Sequence, residues 1–269
     1  MIHVISLGAG VQSSTLALMA ARGEVTPMPT AAIFADTQAE PASVYRWLDW
    51  LEKQLPYPVK RVSKGSLTDA ALKIREKRDG SGTWAKSVIP AFIKNPDGSR
   101  GLLQRQCTYD WKVLQLIREC LRLMREAGEK QATQWIGISL DEVHRMKPSR
   151  DKAIQHRWPL IDARMTRHDC LRWMEANGYP KPPRSACVYC PYHSDGEWRR
   201  LKNEEPEAWL QAVKFDKDYR EVKRVTGNTR GLPYLHSSLI PLDEVDLSTD
   251  EENGQQVMFG NECEGMCGV

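Results

Sequence analysis

The first twenty residues constrain the fold of this chain more than any other stretch. Ile2 to Leu7 alternate and then run apolar, the pattern of a short buried strand. Gly8-Ala9-Gly10 follows, and Gln12-Ser13-Ser14-Thr15-Leu16-Ala17-Leu18-Met19 reads as the start of a helix. A strand, a small-residue loop and a helix together aim backbone N–H groups and the positive end of a helix dipole at one point, where a phosphate can sit. Gly8 and Gly10 allow close backbone approach, and Ser13, Ser14 and Thr15 add hydroxyl donors. An ordinary βα turn with Ser near its N-cap has the same outline. The loop therefore fixes a βα unit and leaves its ligand open.

Two familiar phosphate loops are excluded. No Lys-Ser/Thr pair follows the glycines, so this is not a Walker loop, and Ser13 stands where a dinucleotide fingerprint needs its third Gly. Gly8-Ala9-Gly10-Val11-Gln12-Ser13 instead resembles the PP-loop of ATP pyrophosphatases and phosphoadenosine phosphosulfate (PAPS) reductases. That pattern is Ser-Gly-Gly-x-Asp-Ser after a first strand; here Gly8 replaces the Ser and Gln12 the Asp.

Ala31 to Phe34 reads as a second buried strand ending at Asp36-Thr37, and Pro41 to Leu55 as a helix with Val44, Trp47, Leu48 and Leu51 on one face. Asp36 can accept from a ribose or adenine donor, help hold a metal, or cap a helix. The stretch Phe34 to Pro41 resembles the PAPS reductase segment Asp-Thr-Gly-x-x-x-Pro. Tyr57 to Val62 reads as a third strand, at an edge because of Pro58, and Leu67 to Lys77 as a polar helix. From Asp79 to Arg105 two turn clusters surround the apolar piece Val88 to Ile93, which reads either as a mobile flap near the site or as a hairpin without a functional role.

Arg105-Gln106-Cys107-Thr108 opens a helix running to Met124. A thiol at a helix N-terminus has its pKa lowered, which suits thiolate chemistry or metal ligation. Cys120, on the apolar stripe, reads as core. Arg105, Cys107, Thr108 and Lys112 together resemble a PAPS reductase segment carrying a Cys and a Lys. Thr133 to Ile138 reads as a strand. Gly137 to Arg145 resembles the family's Gly-Ile-Arg-x-x-Glu-Ser-x-x-Arg, which implies that Gly137, Glu142 and Arg145 meet nucleotide phosphates or sulfate. Ser139 replaces the family's Arg, and a solvated ion pair is the alternative for Glu142 and Arg145. Trp158 to Asp162 and a helix over Thr166 to Asn177, with Asp169 aligned, resemble one further family segment. The resemblance spans about residues 1–190.

Cys187-Val188-Tyr189-Cys190-Pro191 places two sulfurs on one turn, close enough for one metal, one cluster or a redox disulfide. Cys107, Cys170, Cys187, Cys190 and His193 are candidate zinc ligands. Cluster-binding relatives in the superfamily pair a remote Cys with a Cys-x-x-Cys, which implies a 4Fe-4S cluster on Cys107, Cys187 and Cys190, with Cys170 as a fourth ligand and zinc as the alternative metal. The basic helical run from Trp209 to Val225 is either a nucleic-acid contact or a solvated face balanced by acids. Near the tail, Glu262-Cys263 resembles the Glu-Cys that carries the reductase nucleophile, with Cys267 placed to resolve a disulfide.

The totals fit these readings. The chain has 269 residues, 41% hydrophobic and 27% charged, with net charge +3, which neither demands nor excludes nucleic acid. No run of about 18 apolar residues exists, and no signal segment opens the chain, so a cytoplasmic protein with no membrane span is expected. Its seven cysteines are then thiols, metal ligands or redox groups before structural disulfides.

The expected fold is α/β: a doubly wound, mainly parallel five-stranded sheet of the adenine nucleotide alpha hydrolase type, with a C-terminal helical Cys-containing lobe. The expected domains are 1–165, binding nucleotide, and 166–269, the lobe and tail. The resemblance implies two enzymes. One uses ATP and Mg²⁺ to adenylylate a nucleic-acid base, in tRNA or DNA, or another acceptor. A cluster-bound sulfide or Cys persulfide then displaces AMP, with Lys112 or Arg145 supporting the leaving phosphates. The other binds PAPS and attacks its sulfur with Cys263. A non-catalytic nucleotide-binding factor is a third reading. Implied partners are an adenine nucleotide, a sulfur donor protein or thioredoxin-like reductant, and a second copy of the chain.

Overall fold

The computed structural model describes residues 1–227 and 229–248. β1 (Ile2–Ser6) leads to α1 (Val11–Ala21), β2 (Ala31–Asp36), α2 (Ala42–Gln54) and β3 (Val59–Ser63). After α3 (Leu67–Leu72) come two hairpins, β4 (Ile74–Glu76) with β5 (Thr83–Ala85) and β6 (Phe92–Lys94) with β7 (Arg100–Leu102). A π-helical turn over Thr108–Val113 enters α4 (Leu114–Glu126), followed by β8 (Ala132–Ile136), a 3-10 turn at Leu140–Arg145 and β9 (Ile154–Arg157). Then come α5 (Pro159–Asp162), α6 (Arg167–Ala176), α7 (Asp195–Glu204), α8 (Pro206–Thr226) and β10 (Leu232–Tyr234).

Two compact units form. The first joins Met1–Gly65 to Tyr109–Ser185; the second joins Ser66–Thr108 to the described residues of 186–248. The first holds a five-stranded sheet in the order β3-β2-β1-β8-β9, with every pair parallel. Both faces are covered, and the strand residues divide accordingly. Ile5, Ala32, Phe34 and Trp135 pack with α1, α2 and α6, while Ile2, Val4, Ile33 and Ala132 pack with Cys120 and Met124 of α4. That is why these strands read as nearly continuous apolar runs. The doubly wound expectation holds, and β3 is an edge strand as Pro58 suggested. The other edge, β9, carries one buried residue in four, Ile154, and so gave no pattern to read.

The expected boundary at 165/166 does not coincide with this division. α6 opens on a capping box between Thr166 and Asp169 and buries Cys170 and Met174 in the core of the first unit. Asp169, aligned above with a family segment, is thereby part of a helix cap. The polar helix also stops early, at Leu72, because Ile74–Glu76 pairs with Thr83–Ala85. Within Asp79 to Arg105 the apolar piece is packed inside and continues into the β6–β7 hairpin, the second of the two readings of this stretch. Val88, Ile89, Ala91 and Ile93 are buried, and β6 pairs antiparallel with β10, Ile93 opposite Pro233. Among the described residues, no helix is long and apolar enough to cross a membrane.

α8 holds the second unit together with two buried charged side chains. Lys223 is 1% exposed, and its Nζ donates to the Ala85 carbonyl at 2.8 Å and to Ser87 Oγ at 3.0 Å. Burial pushes its pKa down from 10.5 to about 8. Between these two values the unfolded chain holds the extra proton, so this group's contribution to stability rises with pH across that window. Relative to Lys223→Met, the unaltered chain should gain on the order of 3 kcal/mol between pH 7.5 and 10.5, read from urea midpoints. An unchanged difference would show that Lys223 keeps its charge when folded.

Candidate functional site

In the first sheet, β1 lies between β2 and β8, and the chain winds outward from β1 in both directions. Such a switch point opens a crevice beyond the carboxyl ends of the strands, the usual ligand position in a doubly wound sheet. The loop Gly8–Gly10 leaves β1 there, Gly137–Ser139 leaves β8, and Thr37 follows Asp36 at the end of β2.

Gly10 is the N-cap of α1, in an extended conformation with no side-chain cap, which leaves first-turn donors to a ligand. Ala9 sits in the left-handed region at φ +58°. Ser13 braces the loop, its Oγ accepting from the Gly8 N–H at 3.1 Å and donating to the Gly10 carbonyl at 3.3 Å. Ser14 is turned away: it is fully buried and its Oγ accepts from Trp47 Nε1 at 2.9 Å, which removes this hydroxyl from the loop's donor set. Thr15 donates back to Val11 within the helix. Gly137 must be glycine, because a Cβ there would stand 2.9 Å from Ser13 N and Cα and 3.2 Å from the Gln12 carbonyl carbon.

Gln12, where the PP-loop pattern has Asp, sits in a polar network. Its Nε2 donates to Ser139 Oγ at 3.3 Å and to Glu142 at 3.2 Å, and its Oε1 accepts from Arg167 at 3.0 Å. Arg145 is ion-paired to Glu142. The structure therefore brings Gln12, Glu142 and Arg145 together and adds Ser139 and Arg167, which the sequence reading gave no role. Lys112 pairs at 3.2 Å with Glu40, whose side chain is wholly buried and also accepts from Ser185 Oγ at 3.1 Å. A lone buried carboxylate is costly, so Lys112 and Glu40 hold each other in place. Asp36 accepts from the Gln38 N–H at 2.7 Å and from Tyr45 Oη at 2.8 Å, and these contacts shape the strand end. Burial, with the carboxylate as a further cause, drives the Tyr45 phenol upward, so it stays a donor. Thr37 is fully buried.

Ser185 also lies beside the loop, its Cβ 4.0 Å from where a Cβ on Gly10 would stand. The residue before it, Arg184, has a buried Nη2 with no hydrogen-bond partner among the described residues. A buried guanidinium donor without an acceptor is costly unless an anion fills the place. An Arg three residues ahead of the Cys-x-x-Cys pair is marked in the sequence only by its neighbour Ser185, a small residue in a Pro-rich run. Loop, glycine cradle and orphaned Arg184 donor fit a phosphorylated ligand.

The cysteines divide between the units. Cys107, Cys187 and Cys190 belong to the second unit and are partly exposed; Cys170 lies in the core of the first. Burial in that core pushes the Cys170 thiol up to about 12, which sets it apart from the partly exposed cysteines of the resemblance's ligand set. The Cys120 thiol is likewise raised to about 12 by burial, as expected of core. Cys187 and Cys190 share a tight turn, the Cys190 N–H donating to the Cys187 carbonyl at 2.9 Å. His193 Nε2 donates to that same carbonyl at 3.0 Å, so this nitrogen serves the turn. Among the described residues, no three His, Cys, Asp or Glu side chains are grouped to hold a metal ion. The donor chemistry suits zinc or an iron–sulfur cluster, but this arrangement does not gather a ligand set. Cys263 and Cys267 lie outside the described residues.

These strands and helices define a doubly wound α/β fold with a crevice beyond the carboxyl ends of its central strands. A solved phosphoadenylyl-sulfate (PAPS) reductase from Candida auris, in a phosphate complex, is similar at a TM-score of 0.42 and 12% identity, over 72% of this chain and 83% of that one. The U34-tRNA thiolase NcsA from Methanococcus maripaludis, with its 4Fe-4S cluster, is similar at 0.41 and 13%, over 85% of this chain and 73% of that one. These likenesses concern the fold. No family model and no curated protein matches the chain.

Gly137→Ala should push the end of β8 off the first turn of α1 and lower stability by about 1–3 kcal/mol, the usual range for overpacking. Thermal melting and a titration with ATP check this. Unaltered stability and ATP affinity would show that the two backbones are not held together in solution.

Proposed function

We propose that the chain is an adenine-nucleotide-dependent enzyme of sulfur chemistry that activates an acceptor oxygen with ATP and replaces it with sulfur. The observation that carries the reading is the switch-point cradle: α1 donors at Gly10, the Ser13-braced loop, Gly137 against it, and the unpartnered Arg184 donor near Ser185. In this reading the loop amides and Arg184 bind the nucleotide's phosphates. Lys112, positioned by Glu40, and Arg145, positioned by Glu142, stabilise charge as pyrophosphate leaves.

An acceptor oxygen, on a nucleic-acid base of tRNA or DNA or on another carbonyl group, attacks the α-phosphorus. Pyrophosphate departs and an adenylylated acceptor remains. The outer sulfur of a Cys persulfide then attacks the activated carbon and AMP leaves. A second thiol cleaves the S–S bond, which leaves the sulfur on the acceptor and a protein disulfide for an external thiol reductant to open. A sulfur donor protein recharges the persulfide. Cys187 and Cys190, two thiols in one turn, suit the carrier and resolving roles, and Cys107 is the third partly exposed thiol among the described residues. A cluster on Cys107, Cys187 and Cys190 would supply sulfide in place of the persulfide. Iron and zinc per chain, measured on protein purified without oxygen, report whether these thiols hold a metal.

Arg184→Ala should weaken ATP binding roughly 10- to 100-fold, the worth of one charge-assisted hydrogen bond, and leave adenosine binding unchanged. Calorimetric titration reads both. Turnover is followed as AMP and pyrophosphate formed from ATP with sulfide and candidate acceptors. Sulfite released from PAPS with a thiol donor, and no pyrophosphate from ATP, would replace this reading with a sulfonucleotide reductase.

A further inference from the structure

The second unit contains a chain of three side chains that the nucleotide reading does not use. His236 is 7% exposed and lies in the turn after β10. Its Nε2 is 2.9 Å from Asp195 Oδ1, and its Nδ1 is 2.7 Å from Ser238 Oγ. The Ser238 backbone N–H also donates to Nδ1, at 3.2 Å. That donor makes Nδ1 an acceptor, so the ring proton is on Nε2 and faces Asp195, and the Ser238 hydroxyl must donate its proton to Nδ1. We propose that Ser238 is an activated nucleophile for carboxylic esters, with His236 as its general base and Asp195 as the positioning residue.

The surroundings support a built site. Asp216, 2% exposed, anchors the turn from both sides: its carboxylate accepts from the Leu235 N–H and from the Leu242 N–H, each at 3.0 Å. Leu239, directly after Ser238, is held at φ +60°, where a branched side chain is strained, and its N–H closes the turn on the His236 carbonyl at 3.2 Å. Asp195 is in the first turn of α7, behind the N-cap Ser194. Arg100 brings a guanidinium to the same turn, 3.5 Å from the Ser237 carbonyl. Ser238 itself is exposed and open to a substrate, while its base is buried.

The chemistry balances without a further reagent. Ser238 Oγ forms a bond to the ester carbonyl carbon, and its proton passes to His236 Nδ1. The carbon–oxygen bond to the leaving alcohol breaks as Nδ1 returns that proton to it. Water, deprotonated by the same nitrogen, then releases the acid and restores Ser238.

The test treats the full chain with a biotin-bearing fluorophosphonate and maps the adduct by mass spectrometry. Oγ bonds to phosphorus, fluoride leaves and the serine proton goes to His236. The expected result is label on Ser238, absent in Ser238→Ala and slowed at least tenfold in His236→Gln and Asp195→Asn, with the rate partly restored in Asp195→Glu. Melting curves confirm that each variant is folded, and Asp195→Asn, a change at an exposed carboxylate, stands in if His236→Gln is not. Labelling no faster than in heat-denatured protein, or equally fast in a folded His236→Gln or Asp195→Asn chain, overturns the proposal. This outcome is independent of ATP binding, so it neither rests on nor tests the nucleotide reading.

Discussion

The contact between Gly137 and the backbone of Gln12 and Ser13 is the constraint on which the candidate nucleotide site depends. Two central parallel strands, β1 and β8, end side by side, and the helix that follows β1 starts against the end of β8 with no side chain between them. That closeness brings the loops after β1 and β8 within hydrogen-bond reach of each other. Gln12 can then touch Ser139 and Glu142, which are more than a hundred residues away in sequence. A longer side chain at position 137 would separate the first-turn amides of α1 from the charged turn at Leu140–Arg145.

The second unit shows how buried charge can order a segment assembled from two distant stretches. Ser66–Thr108 and the described residues of 186–248 meet on α8. There Lys223 reaches the strand-end carbonyl of Ala85, and Asp216 takes the N–H groups of Leu235 and Leu242. Asp216 is further paired with Arg220, one turn along the same helix. Buried ions contribute little net stability against apolar replacements, but they accept few alternative geometries. Short strands such as β6 and β10, with three residues each, gain a fixed register from such anchors.

The central part of the fold was legible because its strands are buried on both faces. Ile2 to Ser6 and Ala31 to Asp36 announce themselves as apolar runs, and α2 carries a clear apolar stripe at Val44, Trp47, Leu48 and Leu51. β9 was not legible because its residues alternate weakly, and the hairpins after α3 were not because three-residue strands show no period. The glycines and Ser13 of the loop could be read from spacing alone. Glu40, Ser139, Arg167 and Arg184 could not. For the first three the significance comes from partners far along the chain, for Arg184 from the burial of a donor atom, and in isolation each resembles an ordinary surface residue. Cys170 entered the ligand set by its residue type and through the resemblance, and the apolar face of α6 on which it is buried is not marked in the sequence by any strong stripe.

The departure at Gln12 from the PP-loop pattern has a physical explanation in its neighbours. An Asp at this position would bring a second carboxylate toward Glu142, and like charges at that range repel unless a cation or a proton intervenes. Gln12 offers both hydrogen-bond polarities at once. Its amide nitrogen donates to Glu142 and Ser139, and its carbonyl oxygen accepts from Arg167. Glu142 is left with one cation, Arg145, and one neutral donor. The substitution thus removes a negative charge from the start of α1 while keeping the polar link to Glu142. Position 12 and Glu142 should accordingly be considered as one electrostatic unit: a neutral amide at the first suits a carboxylate at the second, and in the proposed function the loop amides would then meet an anionic ligand with less repulsion.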